Sequence, residues 1–318
     1  MPSKIARFEK YIEVDYFLFY HTKWIIVLFI GVLDIIFIKI KGWSIDVNSF
    51  EYLSFFIIFF SIPTMLTRLF TTRSLIEMSS AISYTILFFA TSGVLSYLAV
   101  STDFPLVDGV YLAVDNFIHF DHAAYASSIN ANPIFSQLFF YAYKSILFQP
   151  FFIIIYLSAT LRFERLNNLL MHYTFFIILT IFLSIFFPAV GAQKCSVSVL
   201  NPEASCFPDF DLLRFSHFNK LIFLEMEGLI AFPSVHAIAA VLFLLATWGT
   251  RAAIIFLPLN FLMLLSTPIE GGHYAADVIA GIFIAFFGSI LISKMLNFRE
   301  GPTKVLRLED KSISVQKI

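Results

Sequence analysis

Two histidines and an aspartate stand where a strongly apolar chain turns back on itself. They are His236 in FPSVHA, residues 232–237, and His273 and Asp277 in STPIEGGHYAAD, residues 266–277. If a helix begins near Gly272, His273 and Asp277 are i and i+4 and share one face. A carboxylate in that position fixes the imidazole tautomer, raises its basicity and leaves the opposite nitrogen free to attack phosphorus or accept a proton. Gly271 and Gly272 let backbone come close, and a helix start offers amide hydrogens and the positive dipole end to an anion. In the other run, Pro233 fits a first helical turn, Ser234 supplies a short hydroxyl and His236 lies just inside. Two such helix starts with two imidazoles suit an oxyanion, one ring attacking while the other protonates the departing oxygen. Two His and an Asp are also a conceivable metal-ligand set, but Pro-Ser and Gly-Gly suit an anion better than a cation. The plainer alternative is a structural polar cluster, against which stands the cost of placing ionisable groups at span ends.

The elements that bring these residues together are apolar helices. From His236 the chain runs apolar to about Trp248, turns at Gly249-Thr250-Arg251 and runs apolar again to about Ser266. Each leg of some 16 residues reaches roughly 24 Å, short of a ~30 Å hydrocarbon core, so both histidines return to one membrane face. The whole chain is 59% hydrophobic and only 14% charged, with 41 phenylalanines and a mean hydropathy of +0.83, which excludes an ordinary soluble domain. The fold class expected is all-α, a polytopic transmembrane helical bundle of about eight spans near 24–40, 52–70, 82–100, 137–160, 169–188, 234–249, 252–267 and 274–293. A polar lead (1–23) precedes accessory helices (24–100). A catalytic membrane domain (101–297) follows, with outer loops at 101–136 and 189–233, and then a charged tail (298–318). The first apolar run has no small-residue cleavage pattern and reads as a retained span.

Charge orients this bundle. With even span number, the inner segments collect Lys4, Arg7, Lys10, Lys23, Arg68, Arg73, Arg162, Arg165, Arg251 and six more between Lys294 and Lys317, which is 15 of the 21 Lys and Arg residues. The loop from Ser101 to Phe135 has none but carries Asp103, Asp108, Asp115 and Asp121. The positive-inside rule therefore puts both termini in the cytosol and the histidines on the periplasmic, lumenal or extracellular side. Cys195 and Cys206, the two cysteines, both fall in the second outer loop, where they pair as a disulfide or stay as unpaired small residues. Residues 104–136 are too interrupted by Asp, His and Asn to span, and are expected to lie along the surface as a lid or lipid entrance.

Pro233-Ser234-x-His236 and Ser266-x6-His273-x3-Asp277 resemble the second and third signature motifs of the type 2 phosphatidic acid phosphatase superfamily. The resemblance implies a six-helix core, His273 as a nucleophile forming a phosphohistidine, His236 as general acid for the leaving group and Asp277 as orienter of His273. It also implies chemistry without a metal or cofactor. Two departures accompany it. Thr267 stands where the third motif has arginine, and the first motif, expected near Phe187–Lys194, reads only FFPAVGAQK without its cations. Lys194, Arg214, Lys220 and Lys144 are the candidate substitutes for that cationic clamp. Ser234, Gly271 and Gly272 complete the expected substrate contacts. The His-Tyr, two residues, Asp form without arginine is similar to the subgroup of inositol phosphorylceramide synthases. In that subgroup the phosphoryl group passes to the hydroxyl of a second lipid rather than to water. The activity implied is lipid phosphotransfer or hydrolysis of a phosphatidic acid or polyprenyl phosphate, against a non-catalytic lipid transporter or scaffold. The partners implied are the membrane, a phospholipid or lipid-phosphate substrate and, for transfer, an acceptor lipid, with no nucleic acid.

Other polar residues carry weaker readings. Asp34, midway along the first span, is expected to be a buried partner for a polar group of another helix. Glu225, Glu227 and Glu270 flank the motifs, the first two as solvated loop carboxylates. Tyr141, Tyr143 and Gln149 share the fourth span with Lys144, either lining a cavity or forming an aromatic stripe with one satisfied amide.

Overall fold

A computed structural model describes residues 4–46, 72–192, 208–214, 218–226 and 228–292, with isolated positions between 48 and 62; for residues 4–21 it describes the backbone alone. The protein is an all-α membrane bundle. Its helices are α1 (Lys4–Lys41), α2 (Arg73–Val100), α3 (Asp108–Phe117), α4 (His122–Asn130), α5 (Pro133–Lys144), α6 (Gln149–Ala159), α7 (Phe163–Phe186), α8 (Pro208–Arg214), α9 (Val235–Thr247), α10 (Ala253–Glu270) and α11 (Ala275–Ile292). Among the described residues, α2, α7, α10 and α11 are long and apolar enough to cross a membrane, and the bent pair formed by Pro133–Leu147 and α6 makes a fifth candidate. Helix α9 is apolar but shorter. The expected span at 52–70 lies almost wholly outside the described residues.

The lead before residue 24 is helical and continuous with the first apolar run, in α1. One expectation is corrected. The expected single span over 137–160 is broken, its two halves meeting at 59° through the 3₁₀ turn Ser145–Leu147. Pro150 explains the break: it has no amide hydrogen to give to a carbonyl one turn back, and its ring crowds that carbonyl.

Packing brings α9 to the centre, against α6, α7 and α10, while α2 lies against α1, α6 and α7. Helix α9 can be central because Ala237, Ala239 and Ala240 are fully buried and let neighbouring backbones approach. The closest approach is α11, whose Gly281 faces the first turn of α9. A Cβ there would stand 2.7 Å from Ser234 O and 2.9 Å from Ala237 Cβ. This contact fixes the two motif-bearing helices against each other. Large apolar side chains on the outside, among them Phe29, Phe175, Phe182, Ile254 and Phe287, make the lipid-facing surface of an integral multi-pass protein.

The segment at 104–136 does not cross the bundle but forms α3 and α4, as the polar interruptions imply. It is clipped to α10 by His122 Nε2 to Pro268 O (2.8 Å) and by the Tyr125 hydroxyl donating to Leu265 O (3.0 Å). Two-residue strands β1 (Ser44–Ile45) and β2 (Lys220–Leu221) pair in parallel and tie the end of α1 to the loop before α9.

Candidate active site

The PSVH run builds the start of α9. Ser234 is the N-cap, fully buried, and its Oγ accepts from Ala237 N at 3.4 Å. His236 is the second residue of the helix, where a side chain projects past the free first turn. Its ring stacks on Tyr143 with centroids 3.9 Å apart and planes 13° apart. The amides of Val235 and His236 carry no hydrogen bond among the described residues, as expected of the first positions of a helix.

The GGHYAAD run builds the start of α11 in a way the sequence spacing did not anticipate. The helix begins at Ala275 rather than Gly272, so His273 precedes it. The residues spaced i and i+4 meet through a capping turn: Asp277, at the third helical position, accepts from Tyr274 N at 2.9 Å. Gly272 enters this turn with φ +60, and Gly271 admits no side chain, since a Cβ would lie 2.7 Å from His273 Cδ2 and 2.8 Å from the Tyr143 hydroxyl.

The two starts face each other. The His236 and His273 rings are 6.4 Å apart. His273 is 4% exposed, with Nδ1 3.5 Å from Asp277 Oδ2 and Nε2 3.4 Å from Ser234 Oγ. These separations are long for firm hydrogen bonds. His236 Nε2, His273 Nδ1 and Asp277 Oδ1 are buried without a hydrogen-bond partner. Buried polar groups are ordinarily hydrogen-bonded, so three unpaired atoms in one place single it out as a candidate site. Among the described residues no group of three or more His, Cys, Asp or Glu side chains is arranged to hold a metal ion. Both histidines open into a cavity of about 800 Å³ whose remaining walls are mostly apolar, including Ile86, Phe89 and Ile177.

Sequence reasoning expected free amides at both helix starts; at α11 they are taken. Asp115, 2% exposed, accepts from Ala275 N (3.0 Å) and Ala276 N (2.9 Å). Burial pushes its carboxyl above the ordinary range, an effect that those two hydrogen bonds offset only in part. Seven residues before, Asp108 accepts from Val190 N, Gly191 N and the Tyr274 hydroxyl. Gly191, at φ +108, runs so close to the GGH turn that a Cβ would meet Gly272 O at 2.6 Å. Tyr111, on the same helix, stacks on Phe232 and lies tilted against Tyr274, and burial raises its phenol, with the charges of Asp277 and Asp108 adding to the effect. Asp108 and Asp115 had been read only as loop charge. Their separation of seven, two helical turns, was the signal that one face of α3 points both at the site.

The expected cations part company. Lys144 ends α5 at the bend, exposed, with its ammonium 5.9 Å from the Phe140 ring centroid; its charge acts on both His236 and Glu270. Arg214 instead donates to the carbonyls of Thr102 and Phe104 and fastens α8 to the loop after α2. Lys220 pairs with Asp46 at 2.9 Å. Lys194, Cys195, Cys206 and Glu227 lie outside the described residues. Thr267, in the arginine position, is buried and donates to Met263 O one turn back, so its one hydrogen is already used and it brings no positive charge. Gln149 is the satisfied amide, bonded to Ser145 and Asn260, and Tyr141 is exposed while Tyr143 lines the cavity. Asp34 is buried as expected, but its Oδ1 has no hydrogen-bond partner, so the anticipated pairing does not include that atom.

A family model described as the PAP2 superfamily matches residues 110–291, more than half of the chain. The chain belongs to the PAP2 superfamily, the type 2 phosphatidic acid phosphatases, and so to a class with phosphatase-type chemistry on lipid phosphates in a membrane. No curated protein and no solved structure matches it.

Proposed function

We propose that the protein is a lipid phosphotransferase, similar in reaction to the inositol phosphorylceramide synthases, acting at the outer membrane face through a phosphohistidine. The observation that carries this reading is the pair of facing imidazoles with Ser234 and Asp277, sunk at the end of a largely apolar cavity. His273 Nε2 attacks phosphorus while Asp277, beside Nδ1, stabilises the charge that develops on the ring. The phosphorus–oxygen bond to the leaving group breaks, and His236 donates the proton that the departing oxygen needs. The free amides of Val235 and His236 receive the phosphoryl oxygens, and Lys144 supplies the nearby positive charge. In the second half, His236 takes a proton from an acceptor hydroxyl as that oxygen displaces His273. A lipid hydroxyl is favoured over water because the cavity beside the rings is walled mainly by hydrocarbon. No step needs a metal.

Hydrolysis to free phosphate is the second reading, favoured by the superfamily itself. Purified protein in nanodiscs, given a phospholipid donor with and without a ceramide or diacylglycerol acceptor, separates the two. Acceptor-dependent formation of a new phospholipid, absent in His273→Ala and insensitive to chelator, supports transfer; acceptor-independent phosphate release, equally His273-dependent, overturns it in favour of hydrolysis. Turnover unchanged in His273→Ala overturns both. Labelling of a single cysteine placed in α4 from the outside of sealed cells tests the orientation.

A further inference from the structure

We infer that α2, which lies outside the stretch matching the family model, forms with α7 an internal chamber for one hydrocarbon chain of the lipid whose phosphate sits between His236 and His273, and that Gly93 and Phe89 set the chain length accepted. This rests on the functional reading above.

The cavity that ends at the two histidines is lined by Ile86, Phe89, Ala90 and Gly93 of α2. These positions are i, i+3, i+4 and i+7, one face of the helix, about 10 Å long at 1.5 Å per residue. Tyr173, Ile177 and Ile181 of α7, at i, i+4 and i+8, form the facing wall. The two helices are held in register by the Tyr84 hydroxyl and Thr174 Oγ1, 2.5 Å apart. Both C-terminal ends lie at the site face, since Phe104 after α2 packs on Phe186 of α7 and the chain then enters the loop that Asp108 clasps. Moving back along either helix therefore moves away from the histidines, from Gly93 to Phe89 and from Ile181 to Tyr173.

Aromatic rings gather at the end away from the histidines: Phe89 lies 5.9 Å from Tyr173 and 6.5 Å from Phe151, and Tyr173 stacks on Phe243 at 6.1 Å. Near the site end Gly93 packs against Met226, which also lines the cavity: a Cβ there would come within 3.1 Å of Met226 Cε. A larger side chain at Gly93 has to displace Met226 and so narrows the passage. The occupant follows from continuity: the polar end of the same cavity holds the unbonded histidine nitrogens, and a lipid phosphate is the ligand that joins such an end to a hydrocarbon interior.

Phosphatidic acid with a photoreactive diazirine at the far end of one chain tests this in nanodiscs, with labelled peptides mapped by mass spectrometry. Labelling of 86–93 in α2 and 173–181 in α7 on their facing sides, diminished in Gly93→Leu, is the expected result. Labelling confined to the membrane-facing Phe175 and Phe182 overturns the chamber. In parallel, kcat/KM is measured with short- and long-chain phosphatidic acids. Gly93→Leu lowers the long-chain value about tenfold and leaves the short-chain value within about twofold, whereas Phe89→Ala shifts preference toward the longer chain. Equal profiles in wild type and both variants overturn the length-setting role. Internal labelling without any turnover retains the chamber and removes the enzymatic reading; His273-dependent turnover with only external labelling does the reverse.

Discussion

At the start of α9 the amides of Val235 and His236 carry no hydrogen bond among the described residues, whereas at the start of α11 those of Tyr274, Ala275 and Ala276 are all taken by carboxylates. Both runs contain a short capping side chain and a histidine, yet the positive end of one helix is left for a ligand and that of the other is spent internally. Asp115 and Asp277 secure the turn that presents His273, and Asp277 lies close enough to orient its ring. On the proposed reading α11 holds the nucleophile and α9 receives the anion. A helix start cannot do both, because each amide donates once.

Breaking the α11 side should have the largest effect. His273→Ala is expected to reduce turnover at least ~10³-fold, and Asp277→Asn, which leaves size but not charge, by ~10²–10⁴-fold, both read as kcat in the nanodisc assay. Asp115→Asn comes next. It takes the charge from one bond and replaces the other acceptor by an NH2 group facing an amide hydrogen, costing about 2 kcal/mol of stability and lowering kcat without the complete loss seen on removing His273. A thermal melt paired with the turnover assay measures both.

The same residue gives a pH signature. Burial raises the Asp115 carboxyl, against the lowering effect of its two amide donors, so the folded protein keeps that proton over a range where the unfolded chain has released it. The stability contribution is then greatest below the unfolded value and falls as pH rises through the folded one. Asp115→Asn should flatten that part of the stability–pH profile; an unchanged slope would mean the group is not the one titrating.

On the α9 side the effects are smaller. Ser234→Ala removes the cap and the hydroxyl facing His273, with an expected cost of about 1 kcal/mol and a rise in KM larger than the fall in kcat. If it instead matches Asp277→Asn in kcat, the division of labour between the two helix starts fails. Smallest of all is Lys220→Ala, since the pair with Asp46 is partly exposed and worth about 1 kcal/mol or less. Lys144→Ala sharpens the contrast, because it alone of the three described candidate cations is expected to raise KM by about tenfold.

What the sequence by itself determined was whatever depends on local pattern and composition. Apolar runs of sufficient length specify membrane helices, Gly249 and its neighbours specify the turn between α9 and α10, and the spacing within each motif brings Ser234 next to a helix start and His273 next to Asp277. The tertiary structure decided which polar groups remain free. Asp115 lies some 160 positions from the amides it caps, and nothing local to GGHYAAD announces that its helix start is occupied. Arg214 and Lys220 looked as available as Lys144 until their partners, Thr102, Phe104 and Asp46, arrived from elsewhere in the chain. The cavity beside α2 has the same origin. Hydrogen bonds and cavities are relations between elements, and only packing determines which elements meet.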